Sequence, residues 1–448
     1  MRVNVPLNSR LFGRESEILM PTPAATYDST FPLVEWLFLD LNSYFASVEQ
    51  QLHPELRGKP IAVVPVDSDA TCAIAASHEA KKFGIKTGTN IGEARRRCPD
   101  LITVMASHDV YVEFHHKIIE EVERHFPVHV ICSIDEMACK LDAPRCPLAA
   151  AKDLAKRIKQ GLRERVGECI TCSIGLAPNR FLAKVASDMQ KPDGLVVLLP
   201  EELPGRLLEL ELRDLCGIGR RMEPRLHACG IRTMEELWEA DRETLHRAWG
   251  GVGGDRFWHG LHGGVTEDDA PPEHRTLGHS HVLAPELRTP PEAGVVARRL
   301  LLKAASRLRR MKYRARNLHL SVRTEDGPRC EAQAKFEEGS DSIELARVLA
   351  ELWQKVMKQA RWQRVKKVSV TLFGLVAEAS PRQLELFSSS GTAASKERRE
   401  HLSHVLDEIN QKHGRDSVVI GFTPDTVRTF SGTKIAFTRI PDREEFKE

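Results

Sequence analysis

Three carboxylates lie where apolar, strand-like stretches end or turn, and they are the residues best placed to do chemistry. Asp40 ends the apolar run 35–39, and apolar residues at helical spacing begin directly after it. Asp135 and Glu136 are neighbours in the middle of the strand-like stretch 131–141, with small residues where a hairpin would turn. The simplest role for a single Asp between a strand and a helix is the N-cap of that helix, so Asp40 alone does not indicate a site.

The adjacent acids Asp135 and Glu136 change this interpretation. Like charges crowded between apolar strands have a high free energy unless a cation compensates them. Mg²⁺ suits this role because it binds oxygen ligands octahedrally and prefers a few carboxylates together with substrate phosphates. Two such ions a few ångströms apart support in-line displacement at phosphorus, where one activates the attacking oxygen and the other stabilises the leaving group. The three acids therefore predict phosphoryl or nucleotidyl transfer with two Mg²⁺ ions.

Length, charge and hydropathy limit the classes of protein to consider. The 448 residues suffice for about three domains. The 65 basic and 63 acidic residues nearly balance, so only local clusters of charge can indicate a nucleic acid as partner. No window reaches the roughly 18 apolar residues of a membrane span, and residues 1–34 lack the apolar core of a signal peptide. We expect a disordered N-terminal extension and a cytoplasmic protein with no membrane partner.

The ten cysteines are scattered through the chain. Cys169 and Cys172 form the one Cys-x-x-Cys pattern, and no second pair stands at the spacing of a zinc site. Alternating polarity over 169–175 places this pair in a strand. We therefore expect reduced cysteines without a bound metal.

Strands and helices alternate in mixed order through residues 35–198, which predicts an α+β lobe on an antiparallel or mixed sheet. A smaller lobe with strands at 60–65 and 71–76 interrupts it. After residue 200 the chain changes to short helices around Gly217-Ile218-Gly219. Glycines in such a hairpin let backbone N–H groups approach a phosphate, and a plain tight turn is the alternative.

A third region, 276–372, has the element order βαββαβ on one small sheet. Within it, residues 294–323 contain ten Lys or Arg and no acid, and residues 355–367 contain six more. A solvated helix face would explain one such run. Two runs in one small domain of an otherwise neutral protein favour contacts with a phosphate backbone. The basic stripe of the first helix consists of Arg299, Lys303 and Arg310.

Taken together, these features resemble the Y-family, or translesion, DNA polymerases of the DinB and UmuC superfamily. The similar region runs from about residue 37 to residue 372. Its motifs are Asp-Leu-Asn-Ser-Tyr-Phe-Ala-Ser-Val-Glu at 40–49, Glu-Ala-Lys-Lys-Phe-Gly-Ile-Lys at 79–86, Ser-Ile-Asp-Glu at 133–136, the stretch 173–184 and Gly-Ile-Gly at 217–219. The resemblance implies an α+β fold shaped like a right hand.

In this family the hand has a palm, fingers, a helical thumb and a little-finger domain of βαββαβ order. The resemblance implies the following extents: the N-terminal extension 1–34, the palm 35–42 and 106–198, the fingers 43–105, the thumb with its helix-hairpin-helix 199–265, a linker 266–275, the little finger 276–376 and a C-terminal tail 377–448. The smaller lobe that interrupts the first one would then be the fingers.

The resemblance also implies roles for residues around the predicted metal ions. Asp40, Asp135 and Glu136 would bind the two Mg²⁺ ions, with the carbonyl of Leu41 as a further ligand. Phe45 falls at the steric gate of the family. An aromatic ring at this position crowds a ribose 2′-OH and so selects deoxynucleotides.

Further positions match the family's pocket for the incoming nucleotide. Tyr44 would lie beside the gate under the sugar, and Ile74, of modest size, would cover the nascent base pair in a loose, lesion-tolerant site. Lys184 matches the lysine that reaches the triphosphate. Where the DinB branch has Tyr and Arg on the triphosphate, this chain has His78 and Lys81, so a point charge replaces the bidentate fork of Arg. This departure leaves the DinB or UmuC branch open.

The C-terminal tail contains the motif Gln383-Leu384-Glu385-Leu386-Phe387, which resembles the sliding-clamp peptide of bacterial replication proteins. An amide anchor followed by Leu and Phe can dock an extended segment into an apolar groove. We therefore expect a sliding clamp as partner, with a chance match as the alternative. Beyond the motif, the pattern predicts a helix at 396–412 and strands at 418–420 and 435–437.

The leading hypothesis is a monomeric, error-prone DNA polymerase of translesion synthesis. It would add a dNMP to a primer 3′-OH on primer–template DNA, which Gly217, Gly219 and the basic stripe would contact. The main alternative is a catalytically inactive, DNA-bound scaffold of polymerase fold that serves as an accessory protein in the damage response. A third hypothesis is a palm-based nucleotide cyclase. The active polymerase is favoured over the scaffold because all three carboxylates are present.

Overall fold

The protein is described by a computed structural model, which covers residues 34–264, 276–380, 390–414, 417–421 and 440. Four predicted features lie outside the described residues: the N-terminal extension up to residue 33, the linker 266–275, the clamp-like motif 383–387 and the strand 435–437. Among the helices that are described, none has both the length and the apolar character that a transmembrane segment needs.

Strands and helices of the first two lobes alternate as predicted. In chain order they are β1 (Trp36–Leu41), α1 (Tyr44–Leu52), β2 (Ile61–Val64), β3 (Ala75–Ala76), α2 (His78–Lys81), α3 (Ile91–Arg97), β4 (Ile102–Met105), α4 (His108–Glu123), β5 (Val130–Ile131), β6 (Glu136–Lys140), α5 (Leu148–Gly161), β7 (Cys172–Ala177), α6 (Arg180–Met189) and β8 (Leu195–Val197). These strands form two separate sheets.

The larger sheet, called the palm sheet here, has the strand order β5-β6-β1-β7-β8. Its central strand β1 runs antiparallel to β6 and β7, whereas β8 is parallel to β7, so the sheet is mixed as predicted. Leu37 and Leu39 pack into the core with α4 and α5, and Trp36 and Phe38 pack on the opposite face with α6. Burial on both faces explains why β1 is a continuous apolar run.

The smaller sheet, with the order β3-β2-β4, has a small core of its own. The strand predicted at 71–76 is wrong in extent, because only Ala75 and Ala76 pair with β2. The backbone of residues 71–73 is instead hydrogen-bonded to residues 88–91, which form the turn before α3. In the sequence this lobe is inserted between α1, which directly follows β1, and α4.

Short helices follow the palm sheet, as predicted. After several single turns of 3-10 helix, they are α7 (Glu223–Ala228), α8 (Met234–Glu239), α9 (Arg242–Trp249) and α10 (Val252–Leu261). Their apolar side chains join those of α6 and of the second face of β1 in one core. The helical region is therefore packed directly onto the palm sheet.

The predicted βαββαβ order is confirmed. The elements are β9 (Thr276–Val282), α11 (Pro290–Arg310), β10 (Tyr313–Thr324), β11 (Arg329–Gly339), α12 (Ser342–Gln359) and β12 (Val365–Phe373). They form an antiparallel sheet of order β11-β10-β12-β9, called the little-finger sheet here. The helices α11 and α12 share one apolar core with alternate residues of the strands, so they cover one face of the sheet. A short strand β13 (Val376–Ala377) pairs with the start of β10.

The helix predicted in the tail is confirmed as α13 (Ser390–His413), which starts earlier than expected and packs against α11 and α12. The strand predicted at 418–420 is wrong, because the described residues 417–421 form bends. The side chain of Asn410 donates to the carbonyl of Val418 and accepts from its amide, both over 2.9 Å. These are the backbone groups that a strand would have used for pairing.

Candidate active site

Strand register brings the three predicted carboxylates to one edge of the palm sheet. Asp40 near the end of β1 is paired with Glu136 at the start of β6. The amide of Leu41 donates to the carbonyl of Asp135 over 2.8 Å. Asp135 itself lies in the turn between β5 and β6 and not within a strand. Acids that are far apart in the sequence thus meet because two strands pair.

Asp40 is not the N-cap of α1. That position is Ser43, whose side chain makes no capping hydrogen bond. Both carboxylate oxygens of Asp40 accept hydrogen bonds from lysines: Lys184 Nζ lies 2.6 Å from Oδ2, and Lys191 Nζ lies 2.7 Å from Oδ1. The carboxylate is buried, since Asp40 is only 5% exposed. The capping alternative is therefore wrong.

The two lysines join the acids into one network of charge. Lys184 Nζ also lies 2.7 Å from Glu136 Oε1. Asp188 is shared, with its carboxylate 3.2 Å from Lys184 Nζ and 2.7 Å from Lys191 Nζ. Burial lowers the pKa of each lysine, but the carboxylates around them, Asp40 foremost, outweigh burial and raise the pKa of both. Both ammonium groups are therefore charged at neutral pH.

The two lysines do not bring the pKa values of Asp135 and Glu136 back to their ordinary range. Burial raises the pKa of Asp135, and the charge of Asp40 adds to the rise against a hydrogen bond from Ser133. Burial likewise raises the pKa of Glu136, even though Lys184 opposes the change. A hard cation bound at this edge would supply the missing compensation.

The donor chemistry fits such a cation, although the side chains as they stand do not enclose one. Within the described residues, no group of three His, Cys, Asp or Glu side chains could hold a metal ion. The ammonium group of Lys184 lies between Asp40 and Glu136. Carboxylate oxygens are the ligands that Mg²⁺ prefers, so Lys184 must turn away from them for an ion to bind.

The aromatic pair at 44 and 45 is fixed by groups that the sequence did not indicate. Phe45 is buried, and its ring stacks on that of Tyr111 with 4.4 Å between centroids and 14° between planes. The hydroxyl of Tyr44 donates to the carbonyl of Tyr111 over 2.6 Å. The hydroxyl of Tyr111 donates in turn to the buried carboxylate of Glu49 over 2.5 Å. The one available signal was an acid, Glu49, on the apolar face of α1.

The fingers residues predicted for the triphosphate lie around α2. His78 Nε2 is buried and has no hydrogen-bond partner among the residues that the structure describes. Desolvation lowers the pKa of Lys81, as does the charge of Lys191, while Asp40 and Asp135 oppose the change. These electrostatic interactions place Lys81 at the same cleft as the carboxylates. Ile74, just before β3, is half-buried against the core below the palm sheet.

The Gly217–Gly219 hairpin presents its glycines to solvent. Ile218 between them is buried in the core, while both glycines are exposed. Gly217 has a φ of 97°, a conformation that disfavours any side chain, and no atom of the described residues lies within 4 Å of where a Cβ of Gly219 would be. The hairpin therefore has the accessible backbone that the predicted phosphate contact requires.

The basic stripe predicted on α11 faces another helix. Arg299, Lys303 and Arg310 line a groove between α11 and α13. Their neighbour Arg309 is buried there and donates to both carboxylate oxygens of Asp407. The sequence counts the charges on α11 correctly, but it does not show that a tail helix packs beside them.

The face of the little-finger sheet that the described helices leave open is basic, and its Arg323 and Lys367 belong to the two basic runs predicted to contact a phosphate backbone. Arg323 of β10 is paired with Arg329 of β11 on one side and with Lys367 of β12 on the other. All three residues are exposed. Side chains alternate along a strand, so these residues point away from the face that α11 and α12 cover. The sequence counted Arg323 and Lys367 among the basic residues, but it did not show that strand pairing would place them beside Arg329.

Two segments of the chain match one protein family, and two DNA polymerases are similar to it over most of its length. Residues 39–188 match the impB/mucB/samB family, and residues 274–386 match the C-terminal domain of that family. The chain is 35% identical over 389 residues to DNA polymerase IV of Moorella thermoacetica, covering 84% of this chain and 93% of the relative. It is 29% identical over 391 residues to DNA polymerase IV 1 of Bacillus subtilis, covering 86% and 92%.

Solved structures show the same relationship. A Y-family DNA polymerase chimera of Dbh and Dpo4 has a TM-score of 0.66 at 25% identity, covering 76% of this chain and 99% of that chain. The insertion ternary complex of Dbh DNA polymerase has a TM-score of 0.52 with the same identity and coverage. The resemblance and the α+β, right-hand fold predicted from the sequence are confirmed. The chain belongs to the impB/mucB/samB family, that is, to the Y-family DNA polymerases.

Proposed function

We propose that this chain is a template-directed, error-prone DNA polymerase of translesion synthesis. It joins a dNMP from an incoming dNTP to a primer 3′-OH and releases pyrophosphate. The observation that carries the proposal is the pairing of Asp40 with Glu136, with Asp135 in the adjoining turn and Lys184 against two of the three acids. This arrangement suits phosphoryl-type transfer, in which catalysis is mostly positioning and electrostatic stabilisation.

Polymerases of this family depend on a divalent metal, and for this chain we propose two Mg²⁺ ions. Asp40, Asp135, Glu136 and the carbonyl of Leu41 would hold them. Bound there, the ions would activate the primer hydroxyl and offset the charge of the triphosphate. For Lys184, which matches the family's triphosphate lysine, we propose that it releases Asp40 and Glu136 and donates to the triphosphate, so that its charge stays in the cleft.

The remaining nucleotide contacts come from α1 and the fingers. His78 and Lys81 bind the triphosphate, which gives the unpaired Nε2 of His78 a partner. Phe45 excludes the ribose 2′-OH, and its stacking on Tyr111 keeps the ring from tilting away. Tyr44 lies under the sugar, and Ile74 covers the nascent base pair.

For the DNA we propose contacts at the Gly217 and Gly219 hairpin and at the little finger. The uncovered sheet face with Arg323 and Lys367 is the accessible basic surface there. Phosphate contacts of this kind hold DNA without reading its sequence, as a lesion-tolerant polymerase needs. The α11 stripe of Arg299, Lys303 and Arg310 stays a prediction.

We also propose that the enzyme is a cytoplasmic monomer that binds a sliding clamp. The clamp contacts would be Gln383, Leu384, Leu386 and Phe387. Size-exclusion chromatography of the chain with a bacterial clamp should give a complex, and a variant with Leu386→Ala and Phe387→Ala should elute apart from the clamp. A complex that survives both substitutions would contradict the clamp proposal.

Primer extension tests the polymerase proposal. We expect purified protein with Mg²⁺ to extend a primer on an undamaged template and past a damaged base, and we expect EDTA to stop both reactions. A matched variant, Asp40→Asn, should bind the same DNA and extend neither. Absence of Mg²⁺-dependent extension by the wild-type protein, alone or with a clamp, would overturn the proposal in favour of a DNA-bound scaffold.

A further inference from the structure

One buried amide side chain joins α6, which packs on the palm sheet, to the helical region α7–α10. Asn179 directly precedes α6 and is only 2% exposed. Its Oδ1 accepts from the amide of Leu182 over 2.8 Å, so Asn179 is the N-cap of α6. Its Nδ2 donates to the carbonyls of Gly260 and Gly264, each over 2.9 Å. The same side chain therefore binds the start of α6 and the end of α10.

The carbonyls that accept from Asn179 lie where α10 ends, and the last carbonyls of a helix have no partner within the helix. Gly263 has a φ of 81°, which turns the chain back at this end. The amide of Gly264 then donates to the carbonyl of His259 over 2.8 Å. This turn brings the carbonyls of Gly260 and Gly264 to one point, and the amide of Asn179 supplies the donor that buried carbonyls require there.

An aromatic contact continues this connection from α6 to the glycine hairpin 217–219. Phe181 of α6 lies edge-on to Phe257 of α10, with 5.1 Å between ring centroids and 72° between ring planes. The ring of Phe257 lies 3.6 Å from where a Cβ of Gly217 would be. The helix α10 therefore contacts both α6 and the hairpin that we propose for DNA binding.

The helix α6 also belongs to the carboxylate cleft, because its Lys184 contacts Asp40 and Glu136. The cleft and the hairpin 217–219 must hold the same DNA molecule, so the distance between them has to suit that DNA. A distance that is fixed before the DNA arrives strengthens binding, because no free energy is then spent on ordering the two sites. The hydrogen bonds of Asn179 and the contact between Phe181 and Phe257 are the links that can fix it.

We propose that Asn179 is a positioning residue for DNA binding, which fixes α10 on α6 so that the hairpin 217–219 and the carboxylate cleft engage one primer–template. Because Asn179 is buried, it contacts neither the DNA nor the nucleotide and acts through α10. The inference rests on the proposed polymerase function and deepens it. It assigns the strength of DNA binding in part to a residue that lies outside both sites.

The substitution Asn179→Asp separates the two roles of this side chain. The carboxylate keeps the acceptor that caps α6, and its charge suits a helix N-terminus. It offers no donor to the carbonyls of Gly260 and Gly264 and repels them. Asn179→Ser is the second variant, since it also keeps a capping acceptor but is too short to reach both carbonyls and adds no charge.

Fluorescence anisotropy of a labelled primer–template measures the Kd for DNA. We expect Asn179→Asp to raise this Kd by about tenfold, the size of one or two lost hydrogen bonds, and Asn179→Ser to raise it by a smaller factor. Hydrogen exchange in the free variants should become faster at the end of α10 and in the hairpin 217–219. Single-turnover insertion at saturating DNA should stay within about threefold of the wild type, because α6 keeps its cap.

Asn90 provides a matched control, because it has the same arrangement in the smaller lobe. It caps α3 by accepting from the amide of Glu93 over 3.1 Å, and its Nδ2 donates to the carbonyls of Asp69 and Thr71 over 3.1 and 3.3 Å. Asn90→Asp removes an equivalent pair of hydrogen bonds without changing the contact between α6 and α10. Its Kd for DNA should equal that of the wild type.

An unchanged Kd for DNA in both Asn179 variants would overturn the inference. A Kd raised equally in Asn179→Asp and Asn90→Asp, with a lowered Tm in both, would also overturn it, because the effect would then come from lower stability alone. Insertion lost at saturating DNA would show that Asn179 supports the cleft and not DNA binding. Extension by the wild-type protein is measured separately, so each of these results leaves the proposed function standing.

Discussion

The palm cleft and the helical face of the little finger both bury ion pairs, but the two regions differ in how completely the charges are satisfied. In the cleft, Lys184 is shared among Asp40, Glu136 and Asp188. On the helical face, Arg309 is 6% exposed and donates to Asp407 over 2.6 and 2.9 Å. Its remaining nitrogen donates to the carbonyl of Ser340 and the hydroxyl of Ser342.

The difference shows when buried charge indicates function. Every nitrogen of the Arg309 guanidinium has a fixed acceptor, and the bidentate pair leaves no site for a further ligand. In the cleft the pKa values of Asp135 and Glu136 stay raised despite two nearby lysines. The incompletely compensated acids of the cleft can therefore bind a further cation. The fully compensated pair of Arg309 and Asp407 instead holds α13 against the little finger.

The largest expected effect comes from removing a proposed metal ligand from the palm cleft. Asp135→Asn should lower primer extension by about a thousandfold or more, because a lost metal ligand removes several kcal/mol of transition-state stabilisation. Stability should be unchanged or higher at pH 7. The pKa of Asp135 is raised in the folded protein, so its ionised form is disfavoured there and its removal relieves that cost. Extension assays measure the activity of the variant, and thermal unfolding measures its Tm. A large loss of Tm would show that Asp135 stabilises the fold and is not a poorly compensated acid.

The next largest effect comes from removing the ion pair between Arg309 and Asp407 on the helical face of the little finger. Asp407→Asn leaves the buried Arg309 without a carboxylate, which should weaken the docking of α13 by about 3 kcal/mol. Hydrogen exchange should become faster in α13, while extension by the palm should stay near the wild-type rate. The control is Glu397→Gln, an exposed acid on the same helix. Exchange rates that match this control would mean that the pair is not what holds α13.

The smallest expected effect is the pH-dependent stability that His115 contributes next to the turn that carries Asp135. His115 Nδ1 donates to the carbonyl of Ile134 over 2.7 Å, and its Nε2 is buried with no hydrogen-bond partner in the described part of the chain. Burial lowers the pKa of His115 from its ordinary value of 6.5 to about 4. The unfolded chain therefore takes up this proton first as the pH falls below 6.5, and stability is lost between pH 6.5 and 4.

Between pH 7 and 5 this loss should be about 2 kcal/mol for His115 alone. Urea unfolding of the wild type and of His115→Asn measures it, since Asn keeps a donor for the Ile134 carbonyl but does not titrate. The free energy of unfolding of the variant should fall less over this range, by that amount. Equal slopes for the two proteins would show that His115 is not the titrating group.

Local sequence was sufficient for much of the fold and for the chemical identity of the site. The period-2 pattern of the little-finger strands and the helical spacing of α11 and α12 predicted βαββαβ correctly, because each element buries one face. Asp40 was recognised only together with Asp135 and Glu136, because two adjacent acids between apolar strands need a compensating cation. The prediction of a strand at 418–420 was wrong because the side chain of Asn410 forms hydrogen bonds with both the amide and the carbonyl of Val418.

Residues that act through distant partners were missed. Tyr111 gives no sign in the sequence that it stacks on Phe45, which lies 66 positions earlier. Lys191 appeared only as part of a turn, and its carboxylate partner Asp40 is 151 positions away. The stripe on α11 was assigned to DNA because a sequence shows how much charge a helix carries and not which element packs beside it.

The amino-acid order of this chain specifies which segments are strands or helices and which side chains are acidic, basic or aromatic, because these properties depend on neighbours within a few residues. Which oxygen of Asp40 faces Lys184, and which faces Lys191, depends on the pairing of β1 with β6 and β7 and on the packing of α6. That pairing is set by burial summed over the whole core, and no local window contains it. Folding therefore converts a list of charged residues into a site.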